Sequence, residues 1–388
     1  MISFCIPTKF LFGAGALKQL HKQQLPGKKT LIVITQGKSA RKHGYLAELE
    51  KQLDLAGVEH MVYDGIRPNP TKDSIMEAAA AARRENCDFI TALGGGSPMD
   101  SAKVIAVMAT NPGDLWDYCV KGTGKGLPIQ NQPLPIVCVT TTAGTGSEAD
   151  GGAVISNTET CEKYGIGDPR MFPTLSVVDP ELMLSVPPAQ TAYQGLDTFF
   201  HLAEGYISRT SNLFNQMFAL TGIENVSKYL AISIKDGTNL EAREHMAFAN
   251  TLGGFVMATG RLTSEHAMEH VLSAHYPSLP HGAGLILLCR AYFGHFISCG
   301  AVPEKFIKMA QAMGIKDANK PEDFLTALED LLKDCGVADL KMSDFGIKAN
   351  EMEQFGIEAK TVTPEMFAND PAEMTKEDCI EIYRKSYR

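Results

Sequence analysis

The nine cysteines (5, 87, 119, 138, 161, 289, 299, 335 and 379) are scattered, odd in number and never spaced CxxC. That excludes a disulfide framework and a cysteine zinc site. No apolar run of about 18 residues occurs, and the amino terminus, Met1-Ile-Ser-Phe-Cys-Ile-Pro-Thr-Lys-Phe, lacks the basic region, apolar stretch and small-residue cleavage site of a secretory signal. The expectation is a reducing, cytoplasmic setting with no membrane partner. Excess positive charge is missing as well: 36 Lys and Arg face 45 Asp and Glu, a net charge of -9. This argues against a nucleic-acid partner and leaves room for a local basic pocket. Neither an internal repeat nor a low-complexity tract is present.

What is there is an ordinary globular chain of 388 residues, 44% hydrophobic and 21% charged, long enough for roughly two domains of about 150 residues each. Apolar, β-branched runs at Leu31–Thr35, His60–Tyr63, Phe89–Leu93 and Pro135–Thr140 alternate with helical patterns at Tyr45–Ala56, Lys72–Glu85 and Met99–Ala109. That alternation predicts a Rossmann-like α/β domain with a parallel sheet. Shorter strand-like runs follow at Ala153–Ser156 and Leu175–Val178. Beyond Ser185-Val186-Pro187-Pro188 the pattern is helical: Thr191–Ser208, Phe214–Ser233, Leu240–Thr259, Glu304–Ala312 and Pro321–Cys335. We therefore expect an α/β domain over residues 1–186 and an all-helical domain over 187–388. The segment 337–371 reads as irregular, Thr375–Tyr387 as a docked helix, and Lys121–Gln132 as a solvated loop.

Two glycine-rich stretches follow predicted strands. In Gly94-Gly95-Gly96-Ser97-Pro98-Met99-Asp100, the glycines allow a tight turn and close backbone approach to a ligand, Ser97 is placed to cap, Pro98 suits the first helical turn and Asp100 stands at the capping-box position. A helix start of this kind gathers N–H groups and a positive dipole end, which is a phosphate site. The second stretch, Thr140-Thr141-Thr142-Ala143-Gly144-Thr145-Gly146-Ser147-Glu148, follows another strand and points to the same sheet edge. It fits GxGxxA only formally, because hydroxyls dominate and the first βα unit does not carry it. Gly37-Lys38-Ser39 is not a P-loop, since Ile32 stands where the required glycine belongs. The turn from Thr35 to Lys42 carries no carboxylate before Glu48. If it faces the adenosine ribose, a 2′-phosphate is favoured and NADP(H) is preferred over NAD(H).

Of ten histidines, four fall within sixteen residues: His266, His270, His275 and His281. His266 and His270 are i, i+4 on a plausible helix, His281 follows a proline turn, and Asp197 and His201 share the i, i+4 spacing on an earlier helix. Such pairs suggest a divalent transition metal between helices. A mixed imidazole and carboxylate set suits Fe(II) or Zn(II) rather than Mg(II) or Ca(II). His43, His60, His245 and His295 are assigned to structure or surface.

Taken together, Pro7–Leu20, Arg67–Thr71, GGGSPMD, TTAGTGSE, Lys163–Gly167, Gly195–Tyr206 and Ser264–Leu285 make the chain resemble the iron-containing (group III) alcohol dehydrogenases, in particular butanol-dehydrogenase-like NADPH-dependent members, of the dehydroquinate synthase-like fold. The resemblance implies metal ligands at Asp197, His201, His266 and His281, and a proton relay at His270. It implies dinucleotide contacts at Gly95, Gly96, Ser97, Asp100, Thr141, Thr142, Thr145, Asn69 and Lys163, with Gly37, Lys38 and Ser39 at the turn facing the NADP 2′-phosphate. The implied reaction is hydride transfer between a small primary alcohol or aldehyde and NADP(H) or NAD(H) at a cleft between the two halves, with Fe(II) or alternatively Zn(II), in a homodimer. His266 and His281 are fifteen apart, one more than the family pattern, which places an extra residue in Tyr276–Leu279. The alternatives are a metal- and NAD-dependent lyase or cyclase of the same fold and a non-catalytic metal or nucleotide sensor. An acidic sugar phosphate would need basic residues near the metal, where the chain offers Arg209, Lys228, Lys235, Arg243, Arg261 and Arg290.

Overall fold

Runs of aliphatic and β-branched residues pair into one six-stranded sheet in the order β1-β8-β5-β4-β2-β3, and every pairing in it is parallel. Its strands are β1 (Lys9–Phe12), β2 (Lys29–Thr35), β3 (Glu59–Ile66), β4 (Phe89–Gly94), β5 (Ile136–Thr140) and β8 (Leu175–Val178), while β6 (Gly152–Asn157) and β7 (Glu162–Gly167) form an antiparallel hairpin beside it. The structure, a computed structural model, describes residues 2, 4–160 and 162–388. The amino-terminal and cysteine readings at Met1, Ser3 and Cys161 lie outside them; the eight described cysteines are free.

β5 is buried at every position and β2 at all but its ends, as expected of parallel strands covered by helices on both faces. Their core includes Leu17, Leu20, Ile32, Ile34, Leu49, Leu53, Phe89, Val137 and Val177. Short helix α1 (Ser39–Lys42), α2 (Tyr45–Leu55), α3 (Lys72–Arg84) and α4 (Gly96–Thr110) connect the strands. From β2 the chain moves outward to β3 and returns to β4 on the far side of β2. The strand order therefore reverses between β2 and β4, and the carboxyl ends of β2, β4 and β5 open along one edge, where such sheets bind ligands.

The chain divides into two units, Cys5–Ser185 and Val186–Arg388, the latter joined by Phe4, whose ring lies 4.8 Å from that of Phe214. The second unit is helical: α5 (Pro188–Ile207), α6 (Leu213–Lys235), α7 (Leu240–Thr259), α8 (Glu265–His275), α9 (His281–Ser298), α10 (Pro303–Ala312), α11 (Glu322–Asp334), α12 (Met352–Val362), α13 (Pro364–Phe367) and α14 (Lys376–Ser386). Phe199, Phe200, Phe293, Phe306 and Phe324 pack together at its centre. Among the described residues no helix is long and apolar enough to cross a membrane.

The structure departs from the sequence pattern at strands β1 and β7 and in the segment 337–371. Strands β1 and β7 were not anticipated: each is short, and β7, read as EKYGIG, carries glycines that weaken a strand signal. The segment 337–371 is not irregular, since α12 buries Met352, Phe355 and Ala359 from one face. The polar residues between them hid that stripe. Helix α14 does dock, with Thr375 as a reciprocal cap to Asp378 and Ile382 and Tyr383 buried.

Candidate metal centre and nucleotide turns

Helix α5 starts with Pro188 in its first turn and is buried from Gly195 through Ile207, so Asp197 and His201 point into protein. Two missing side chains let other helices approach it. A Cβ on Gly195 would meet Leu230 of α6 at 2.3 Å, and one on Gly282 would meet the Tyr193 carbonyl at 2.1 Å. The Gly282 contact sets the start of α9, and with it His281, against α5. His266 stands in the first turn of α8, whose entry is locked by the buried Asp370 accepting from the Ser264 backbone N–H at 2.9 Å and hydroxyl at 2.8 Å. Burial pushes the Asp370 carboxyl up to about 7.

These constraints converge on the Asp197 Oδ1 atom. His266 Nε2 lies 3.4 Å from it, and His201 Nδ1 and His281 Nε2 each lie 3.6 Å from it. Asp197, His201 and His266 are buried, and the His201 and His266 rings stack at 4.4 Å. Burial opposes ionisation of Asp197, but the surrounding imidazoles hold its carboxyl below the ordinary range. For His266, burial disfavours the charged ring, yet Glu204 and Asp197 raise it to about 10. Neither Asp197 Oδ1 nor His266 Nε2 has a hydrogen-bond partner. Buried polar atoms left this way are costly. Ligands about 2.1 Å from a tetrahedral ion lie about 3.4 Å from one another. The Asp197, His201 and His266 ligand atoms all lie within 4.8 Å of one another and fit a divalent transition metal, while His281 approaches Asp197 from a second group formed with Glu269 and His270.

His270 lies farther out and half-buried, its ring 5.6 Å from that of His281. The turn 276–279 before His281 is closed by the Leu279 N–H donating to the Tyr276 carbonyl, and the Tyr276 hydroxyl donates to Glu351. Sequence reasoning missed two buried carboxylates, Glu204 against His266 and Glu269 against His281. For Glu204 the signal was present: Asp197, His201 and Glu204 recur at i, i+4, i+7 on one apolar helix.

In the sheet unit the two glycine stretches meet. A Cβ on Gly95 would sit 2.7 Å from Thr142 Oγ1, and one on Gly96 would sit 2.6 Å from Thr145 Cγ2. The Thr141 N–H donates to the Gly94 carbonyl at 2.9 Å. Gly94 itself has φ 149°, open only to glycine. Ser97 does not cap and Asp100 does not close a capping box: α4 starts at Gly96 with Gly95 as its uncapped N-cap. The leading N–H groups thus keep their capacity for an anion. Asp100 turns inward, accepting from Ser147 Oγ at 2.6 Å and the Val154 N–H at 2.8 Å. Asn69, with φ 55°, lies in the turn after β3, and Ser156, register partner of Lys163, donates its N–H to the adjacent Pro70 carbonyl. Gly37, Lys38 and Ser39 are exposed after β2. A carboxylate missing from that turn arrives from β3: Asp64 pairs with Arg41 at 2.9 Å.

Burial pushes the Asp100 carboxyl up to about 6, against the nearby Lys103 ammonium. A proton held more tightly in the fold than in the unfolded chain stabilises the fold fully below the unfolded pKa and ceases to as pH rises through the folded one. The unfolding midpoint of Asp100→Asn, followed by fluorescence of the single tryptophan, Trp116, should therefore change less than the parent's between about pH 7 and pH 4. Parallel pH profiles would contradict the inward, buried placement.

A reversing parallel sheet with an uncapped glycine turn, together with a helical unit holding a carboxylate among imidazoles, defines a nucleotide-type fold paired with a metal-type centre. Residues 7–180 match the family described as iron-containing alcohol dehydrogenase, and residues 191–387 match the Fe-containing alcohol dehydrogenase family, C-terminal. The chain belongs to the iron-containing alcohol dehydrogenase family. It is 36% identical to a 1,3-propanediol dehydrogenase of Klebsiella pneumoniae, over 90% of this chain and 89% of that protein. It is 32% identical to a probable NADH-dependent butanol dehydrogenase 1 of Bacillus subtilis, over 84% of each. Among solved structures it is similar to an archaeal halo-thermophilic alcohol dehydrogenase from a Red Sea brine pool bound to NZQ, with a TM-score of 0.94 and 32% identity, covering 100% of this chain and 99% of that one.

Proposed function

We propose that this protein is a metal-dependent alcohol dehydrogenase and aldehyde reductase that transfers a hydride between NADP(H) and a small primary alcohol or aldehyde. The observation that carries the reading is the convergence of three imidazoles on Asp197. Residues 1–186 form its nucleotide-binding domain and 187–388 its metal-binding domain. Asp197, His201, His266 and His281 would hold the ion, Fe(II) by family and Zn(II) as the alternative. A bound divalent ion supplies Lewis acidity to the substrate oxygen. Buried Asp197, His201 and His266 keep water from their side of the site, and half-buried His270 is placed to pass the alcohol proton to solvent. Gly95, Gly96 and Ser97 with Thr141, Thr142 and Thr145 would cradle the diphosphate, with Asp100 bracing the second turn through Ser147. Asn69 and Lys163 supply contacts from the neighbouring turn and hairpin. A homodimer is part of the reading, supported by the edge position of β1, and so is a cytoplasmic location, supported by the free cysteines.

Elemental analysis and an anaerobic screen of aldehydes with NADPH at 340 nm, run on one preparation, test this reading. Stoichiometric Fe or Zn with turnover is expected. Bound metal and nucleotide without turnover of any aldehyde would favour a sensor.

NADP preference rests on exposed Lys38 beside a turn lacking acids, with Gly37 and Ser39 giving the phosphate room. Asp64 favours the opposite reading, because a carboxylate near this turn could take a ribose diol. A hydrogen bond to a charged group contributes about 1.5–3 kcal/mol, so Lys38→Ala should lower kcat/KM with NADPH about tenfold or more and leave NADH little changed. A parent enzyme that prefers NADH would end the argument from Lys38.

A further inference from the structure

The Asp197 centre is backed by two buried carboxylates, Glu204 and Glu269, the second of which also has its ligand atom within 4.8 Å of those of His270 and His281. Glu204 Oε1 accepts from His266 Nδ1, and Glu269 Oε2 lies in ion-pair contact with His281 Nδ1. Both glutamates are completely buried. Each is braced from a second direction: Thr263 Oγ1 donates to Glu204 Oε2 at 3.0 Å, and Ser273 Oγ donates to Glu269 Oε2 at 3.3 Å.

A carboxylate accepts and does not donate, so the His266 Nδ1 hydrogen-bonded to Glu204 carries the proton. His281 Nδ1 lies against Glu269 Oε2 as an ion-pair contact without hydrogen-bond geometry, and a small ring rotation would make it the same kind of donor. With an ion in place of the second proton, the lone pair of each ring lies on Nε2, the atom 3.4 Å (His266) and 3.6 Å (His281) from Asp197 Oδ1. Orientation of the rings and choice of tautomer thus follow from the two glutamates. Burying an ionised carboxylate costs several kcal/mol unless partners compensate it. An imidazole N–H polarised by a cation on its other nitrogen is such a partner.

Backbone design supports the same placement. Gly284 lies one turn after His281 on α9, and a Cβ there would stand 2.8 Å from both Cγ and Oε1 of Glu269. The absent side chain is what admits the Glu269 carboxylate to the back of His281. Glu204 reaches His266 from α5, three residues beyond His201, so one helix carries two members of the centre and the brace of a third.

We propose that Glu204 and Glu269 are positioning residues of the metal centre, each holding one imidazole by Nδ1 so that Nε2 faces Asp197, and that Gly284 exists to admit Glu269. This rests on the reading that the centre binds a divalent ion. Loss of such a partner typically weakens metal binding about 10- to 100-fold.

The test uses the full chain, stripped of metal, as parent and as Glu204→Gln, Glu269→Gln and Gly284→Ala. Co(II) and Zn(II) dissociation constants are measured by competition with a chromophoric chelator, and the visible spectrum of the Co(II) form is recorded. Each variant should bind both ions about 10- to 100-fold more weakly than the parent, with a shifted Co(II) spectrum and a metal-free melting temperature close to the parent's. Gly284→Ala is decisive, because it removes no charge and acts by displacing the Glu269 side chain, whose Cγ and Oε1 the new methyl would meet at 2.8 Å. Affinities within about threefold of the parent, with an unchanged Co(II) spectrum, would overturn the proposal. If Glu204→Gln fails to fold, the other two variants decide. A parent that binds neither ion would instead overturn the metal reading and this inference with it.

Discussion

Replacing Asp197 by alanine is expected to strip the metal and lower turnover about a thousandfold or more while leaving the helical unit folded. Lewis-acid stabilisation amounts to several kcal/mol, and about 4 kcal/mol corresponds to about a thousandfold in rate. Asp197 Oδ1 faces all three imidazoles, at 3.4–3.6 Å, so its removal takes away the anionic ligand and the centre of the cluster at once. The fold should survive because its packing rests on the aromatic group around Phe199, Phe293 and Phe324, and because the histidines keep other contacts such as Glu204. Elemental analysis, far-UV circular dichroism and the 340 nm assay check the three parts separately. Full activity with normal metal content would remove Asp197 from the site.

The second large effect concerns stability of the sheet unit. Lys103→Met should lower it by about 3–5 kcal/mol, the usual cost of breaking a buried ion pair by deleting one partner. Lys103 is completely buried on α4, and its ammonium donates to Asp150 Oδ1 at 2.8 Å, Ser147 Oγ at 2.8 Å and the Gly152 carbonyl at 2.7 Å. Burial opposes its charge, but Asp150 and Asp100 hold the ammonium above its ordinary value. Methionine of similar length would fill the space, leave Asp150 with the Gly152 N–H but without a cation, and take the ammonium from the Gly152 carbonyl. Ser147 follows directly on the hydroxyl-rich turn, so nucleotide binding should weaken with stability. Trp116, at the sheet unit and hydrogen-bonded to Glu162, reports unfolding of that unit in urea. A loss below about 1 kcal/mol would mean that water replaces the ammonium freely.

Local pattern carried much of the fold because the two periodicities are strong here. Strands such as Leu31–Thr35 are continuous aliphatic runs between turn signals, and α5 is apolar along most of its length. The pattern weakened where elements are short or diluted by glycine, as in β1 and β7, and where a buried stripe is interrupted by charges, as in α12. For the site, clustering of histidine and the i, i+4 spacing pointed to the right helices. Nothing local distinguished Ser97 as a cap from Ser97 as a bystander, since the choice of Gly95 as N-cap depends on Thr142 and Thr145 packing against the turn.

Absence was informative in the same uneven way. The lack of CxxC spacing and of a long apolar run excluded whole classes without any coordinates, because those features must be contiguous in sequence to work. The first turn's lack of acid was less binding: β3 pairs beside β2 and brings Asp64 to Arg41 from more than twenty residues away. What the sequence determined alone was therefore the element types, the family and the residue types able to hold a metal, all of which are written in spacing. Only the tertiary structure decided which nitrogens face Asp197, that Glu204 and Glu269 stand behind two of the rings, and that Asp100 and Lys103 turn inward. Those choices depend on close approaches at Gly195, Gly282 and Gly284 between residues distant in the chain, which no local pattern encodes.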